Sequence, residues 1–132
     1  MGNRRLAREL ALQILFEVEF TNKSQLQQVI NRVLGERDVP IETSDFIQTL
    51  LDTFVKNASS VDDHIEKYSD NWKIGRMSAV DRNLIRLGVT EILYFTDIPK
   101  SVSINEYLEI AKKFGTADST GFINGILDKI GV

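Results

Sequence analysis

Apolar residues recur every three or four positions along nearly the whole chain, and no stretch alternates strictly between apolar and polar. That pattern predicts an all-α fold of about seven helices. The first helix should run from about Asn3 to Phe20, with Leu6, Ala7, Leu10, Ala11, Ile14 and Val18 on one face. Ser24-Gln25-Leu26-Gln27 has the form of a capping box. It should open a second helix whose stripe is Leu26, Val29, Ile30, Val33 and Leu34 and whose stop is Gly35. After a loop at Pro40, a third helix is expected from near Ser44, burying Phe46, Ile47, Leu50, Leu51, Phe54 and Val55. Ser60 is read as the cap of a short fourth helix with Val61, Ile65 and Tyr68 inside.

The stretch from Ser69 to Met77 is polar, holds Trp72 and Gly75, and reads as a long loop. Ser78-x-x-Asp81 should start the fifth helix. Val80, Leu84, Leu87, Gly88 and Ile92 share one of its faces and Ile85, Val89 and Leu93 another, which predicts a central position. Pro99 ends the next turn, Ser103-x-x-Glu106 reads as a second capping box opening the sixth helix, and Gly115 stops it. Asp118 or Ser119 should cap the last helix, with Ile123, Ile126, Leu127 and Ile130 inside. The expected architecture is two small helical bundles, residues 1–68 and 78–132, forming one compact domain.

Composition narrows the function classes. A chain of 132 residues is the size of one domain and can bury about two thirds of its unfolded surface. It has no cysteine, so disulfides and thiolate metal sites are excluded and a reducing cytoplasm is the expected home. Arg4, Arg5, Arg8, Glu9, Glu17 and Glu19 interrupt the first twenty residues, so no signal-peptide run is read there. No run of about 18 apolar residues is present, so no membrane partner is expected. The net charge of −3 argues weakly against nucleic acid, but its distribution is uneven. Acids dominate from Glu42 to Asp70, whereas Lys73, Arg76, Arg82 and Arg86 face only Asp81, and the first eight residues hold three arginines and no acid. Such a map can steer a polyanion to one face.

Enzymatic signals are poor. His64, the one histidine, sits beside Asp62, Asp63 and Glu66 on a polar face without the convergent ligands of a metal site. No serine stands in a nucleophile-elbow context, and Gly75, Gly115, Gly121 and Gly125 form no phosphate-cradling loop. The reading is therefore of a protein with no cofactor, no metal and no catalytic residue. The first helix is more informative. Arg4, Arg5 and Arg8 fall roughly opposite its core face and oppose the helix dipole, and Leu12, Leu15 and Phe16 continue that side. Either the helix is buried on two sides with a basic tip, or its second face is offered to ligands, the tip to a polyanion and the middle to a protein. In the last helix Phe122 lies about 90° from the buried centre. It either covers the rim of the core or is a ring on which an unstacked base can lie. Lys112 and Lys113 are near enough in sequence to reach phosphates.

Four stretches in order resemble the NusB family. They are Arg5-Leu6-Ala7-Arg8-Glu9-Leu10-Ala11-Leu12-Gln13-Ile14-Leu15-Phe16; the set Asp81-Arg82, Ile85-Arg86 and Glu91-Ile92-Leu93; Ile98-Pro99 through Val102-x-Ile104-Asn105-Glu106 to Glu109-Ile110-Ala111-Lys112; and Phe122-Ile123-Asn124-Gly125-Ile126-Leu127-Asp128. The resemblance implies two helical bundles and a role in transcription antitermination on RNA polymerase. It implies binding of boxA, a short single-stranded RNA of ribosomal transcripts, together with NusE, a protein of the small ribosomal subunit. By it, Arg4, Arg5 and Arg8 match the RNA-binding start, Asp118 and Phe122 match positions near RNA, and Phe16 and Asp81 match positions near the partner, with Leu12 beside Phe16. A homodimer is another way to cover a two-faced first helix. Two alternatives remain open. One is the RNA-docking domain of a ribosomal RNA methyltransferase, for which this chain would have to be a fragment. The other is an adaptor that binds protein alone.

Overall fold

In the computed structural model, which describes residues 2–21, 23–70 and 72–131, seven α-helices follow one another and no strand is present among the described residues. They are α1 (Gly2–Phe20), α2 (Leu26–Gly35), α3 (Ile41–Lys56), α4 (Ala58–Tyr68), α5 (Ala79–Tyr94), α6 (Lys100–Phe114) and α7 (Ser119–Leu127). Single 3-10 turns at Lys23–Gln25 and Ile74–Arg76 precede α2 and α5. The all-α expectation and the number of helices hold. Asn22, Asn71 and the terminal Met1 and Val132 lie outside the described residues.

Helix α1 is built from leucine, alanine, glutamate and glutamine, all of which lose little on entering a helix, with no proline or internal glycine to break it. It packs against α2, α3, α5 and α6. That many neighbours demand more than one apolar stripe. Ala7, Leu10, Ala11, Ile14 and Val18 are buried as expected, and so are Leu12 and Leu15 on the arginine side, as a helix buried on two sides requires. Each buried leucine or isoleucine contributes about 1.5–3 kcal/mol. Helix α5 occupies the centre, against α1, α3, α4, α6 and α7. Its Gly88 lets α7 approach, because a Cβ there would stand 2.8 and 2.9 Å from the two methyls of Leu127.

Several helix starts differ from the capping signals. Ser78 does cap α5, its Oγ accepting from the Asp81 amide at 3.1 Å. Helix α6 instead begins at Lys100, directly after Pro99, and α3 at Ile41, directly after Pro40. The fixed φ of proline already suits a helix entrance, so it overrides the serine signals one turn later. Ser103 therefore lies inside α6. Ser60 lies inside α4, which starts at Ala58 with Asn57 at its cap, and α2 is entered through its 3-10 turn with Gln25 at the cap. At α7, Asp118 stands at the cap position but makes no side-chain cap bond. Ser119 Oγ accepts from the Thr116 amide at 2.9 Å instead. Val55, expected inside, is exposed. The segment read as a polar loop is pinned to the core by buried Ile74 and Met77.

Candidate RNA and partner interface

The three arginines of the tip separate into three environments. Arg4 is exposed, forms no ion pair among the described residues, and rests its guanidinium 4.7 Å from the centre of the Phe46 ring. Arg5 is exposed and forks onto Glu106 of α6, Nε donating to Oε1 at 2.9 Å and Nη2 to Oε2 at 2.8 Å. That fork holds the Glu106 carboxyl below the usual carboxylate range. Arg8 departs from expectation. It is only 2% exposed, and its Nε and Nη2 donate to Oε2 and Oε1 of Glu91 at 2.7 and 2.8 Å.

Glu91 itself is fully buried on α5 and also accepts from Ser103 Oγ at 2.9 Å and from the Tyr107 hydroxyl. Burial pushes the Tyr107 phenol up, and the neighbouring Glu91 charge adds to the effect. The placement of Arg8 opposite the core is thus corrected. An α1 with neighbours on both sides turns the 8 position inward, and a buried arginine is tolerated because a carboxylate, a hydroxyl and a phenol close around the charge. Its expected contact with phosphate has no exposed guanidinium to make it.

Lys112 and Lys113, at the C-terminal end of α6, are exposed. Lys112 pairs with Glu109 at 2.7 Å, and Lys113 reaches back to Glu9 of α1 at 3.1 Å. Asp118 is exposed, immediately before the buried Ser119 that opens α7. Phe122 is half-buried. Its ring packs on the core and meets the Trp72 ring edge-on, with centroids 6.2 Å apart and planes at 71°. Phe122 therefore covers the rim of the core and keeps part of its surface exposed. Trp72 is 53% exposed and was read only as part of a loop.

On the other flank, Phe16 is 39% exposed and Phe20 is 66% exposed, with ring centroids 5.0 Å apart. Leu12 is 6% exposed and lines a groove of about 830 Å³ with Leu6, Phe16, Val80 and Phe114, edged by the charged Glu9, Glu17, Arg37 and Lys113, so Lys113 borders both faces. Asp81 stands half-buried beside Val80, and its Oδ1 is a buried acceptor with no donor. Asp81 makes no ion pair with its helix neighbours Arg82 and Arg86. Arg82 turns to Glu19, and Arg86 pairs with Asp62 at 3.0 Å and approaches Glu19 at 3.6 Å. This buried acceptor, next in sequence to the groove residue Val80, suits a partner that brings a donor.

Sequence reasoning missed Glu91, Glu106 and Trp72 as parts of these faces. A carboxylate on a helix apolar on two sides was a signal for Glu91. Nothing in local spacing ties Glu106 to Arg5, because the two are 101 positions apart.

No helix among the described residues is long and apolar enough to cross a membrane. The model of the NusB family matches residues 5–131. A transcription antitermination protein NusB of Desulfitobacterium hafniense is 46% identical over 129 residues, covering 97% of this chain and 87% of that protein. The NusB structure from T. maritima superposes with a TM-score of 0.89 at 37% identity, covering 96% of this chain and 88% of that one. A chain from a crystal structure of antitermination factors NusB and NusE in complex with double-stranded RNA gives a TM-score of 0.87 at 25% identity, covering 97% and 95%. By sequence over nearly its whole length and by fold, this chain belongs to the NusB family.

Proposed function

We propose that this chain is a transcription antitermination factor that binds boxA-type single-stranded RNA of ribosomal transcripts together with a NusE-type protein of the small ribosomal subunit, within the antitermination complex on RNA polymerase. The observation that carries the reading is the match, over 97% of the chain, to a chain of a solved complex of NusB and NusE with double-stranded RNA; the single-stranded boxA target rests on the family resemblance. The chain works by binding and not by catalysis, and its place is the cytoplasm, where transcription and ribosomal proteins meet.

Two faces divide the work. The RNA face takes in Arg4 and Arg5 at the tip of α1, Lys112 and Lys113 at the end of α6, and Asp118 and Phe122 at the start of α7. Exposed guanidinium and ammonium groups attract phosphates, and the exposed part of the Phe122 ring offers a stacking surface. Asp118 lowers the affinity by placing a like charge near the phosphates. Arg8 serves this face indirectly, by fixing α1 to α5 and α6 through Glu91. The partner face is the groove lined by Leu12, with Phe16 as the aromatic anchor and Asp81, next to Val80, as the acceptor.

The test is reconstitution. The chain, a NusE-type protein and boxA RNA are mixed and sized by chromatography with light scattering. A complex containing all three, formed with boxA and not with a scrambled RNA, is the expected result. A binary protein complex that ignores RNA would leave the protein-only adaptor as the function.

A further inference from the structure

Among the described residues Arg4 has no ion pair, but the other cations of the RNA face are already occupied. Arg5 is forked onto Glu106, Lys113 is paired with Glu9 and Lys112 with Glu109, so a phosphate arriving at any of these three has to exchange with a carboxylate of the chain itself. The exchanges are unequal. Glu109 is well exposed and can turn to water. The Glu106 side chain is only 22% exposed, so releasing it without a new partner would strand a partly desolvated charge. A new partner is in place. Arg8 uses Nε and Nη2 on Glu91, which leaves Nη1 facing Glu106 Oε1 at 3.8 Å.

We propose that Glu106 is an internal stand-in for an RNA phosphate at Arg5: RNA binding places a backbone phosphate on the Arg5 fork, and the released Glu106 carboxylate closes onto Nη1 of buried Arg8. This rests on the RNA-binding reading above and deepens it. Glu106 sets the affinity and salt response of the site without touching RNA, and it gives Arg8 a part in binding from inside the core. The carboxyl is kept ionised by Arg5 throughout the neutral range, so the competitor is always present.

Glu106→Gln keeps the shape and one acceptor for Arg5 but removes the charge. Affinity for boxA RNA is measured with the NusE-type partner bound, at low and high salt, for the parent, Glu106→Gln, Arg5→Ala and the double variant. Glu106→Gln should tighten binding by about two- to fivefold at low salt, the range an exposed ion pair spans. The gain should shrink when Arg5 is absent, because there is then no pair to exchange. No tightening, or an equal gain in the Arg5→Ala background, overturns the inference, since equal gains mean that Glu106 acts only through its general field. A second measurement does not depend on how the variants fold. On adding RNA to the labelled parent protein, the side-chain resonances of Arg5, Glu106 and Arg8 should shift together, and a Glu106 carboxyl that stays put overturns the exchange. Absence of RNA binding by all four proteins overturns the functional reading itself and this inference with it, whereas binding by the parent with either adverse result overturns the inference alone.

Discussion

Replacing Arg8 by methionine removes one partner of an ion pair that has almost no contact with water. Arg8 is 2% exposed and Glu91 0%, and the two bonds between them are 2.7 and 2.8 Å long. The variant leaves Glu91 with only Ser103 and Tyr107 as donors. Breaking such a pair costs about 3–5 kcal/mol, because a buried charge loses its counter-charge. Methionine keeps much of the apolar volume of the stem but removes the guanidinium that lies 5.3 and 5.7 Å from the centres of the Phe46 and Tyr107 rings, so the expected loss stays at about 3–5 kcal/mol. That is a large share of the roughly 5–15 kcal/mol typical of a folded domain, and it should lower the melting temperature by on the order of 10 °C. Urea unfolding followed by far-ultraviolet circular dichroism measures it. The double variant Arg8→Met with Glu91→Gln removes both charges and should recover a substantial part of the loss. A loss below about 1 kcal/mol, as for a surface arginine, would refute the burial of Arg8. A double variant no more stable than the single one would refute the claim that a stranded charge is the cause.

Alanine at both Arg4 and Arg5 should weaken RNA binding, leave the fold intact and reduce the salt slope by about 1.4, taking roughly 0.7 per single-strand contact. A slope unchanged in a two-salt titration would take both from the RNA face. Phe16→Ala should cost about 2 kcal/mol or more in affinity for the NusE-type partner by calorimetry and clearly less in stability, since the ring is 39% exposed; the reverse ranking would make it a core residue. Gly88→Ala should destabilise by about 1–3 kcal/mol in the same urea assay, because the new Cβ would press on both methyls of fully buried Leu127. In alkaline spectrophotometric titration Tyr107 should ionise well above the ordinary 10.0, through burial first and the Glu91 charge second. Its folded-state value is raised, so its contribution is complete below about 10 and lost as pH rises beyond it, and Tyr107→Phe should flatten that alkaline loss of stability.

The helices were legible because apolar periodicity survives tertiary context. The α5 pattern, with one face from Leu84 to Ile92 and a second from Ile85 to Leu93, told correctly of a helix with neighbours on both sides. The same reasoning failed on α1 for a physical reason. A helical wheel sorts residues by angle and treats an arginine as outward-facing. It cannot know that Glu91, 83 positions away, waits to neutralise Arg8 in the interior. The Ser103-x-x-Glu106 signal failed similarly. Both residues have partners across helices, Ser103 in Glu91 and Glu106 in Arg5, and those long-range bonds look like a local cap when only the spacing is read. Phe16 was legible because its exposure follows from its own position, whereas Leu12, one turn earlier on the same side, is shielded by walls from other segments that no wheel contains.

In the proposed function one face of this chain carries single-stranded RNA and another carries a protein partner. Chemical-shift mapping on the labelled chain tests it most directly, with boxA RNA titrated into the complex with an unlabelled NusE-type protein. The account predicts that adding RNA moves Arg4, Arg5, Lys112, Lys113 and Phe122, with Phe16 and Asp81 already shifted by the partner. RNA-dependent shifts that avoid the tip of α1 and the start of α7, or that fall instead on the acidic surface of α3 and α4, would contradict it.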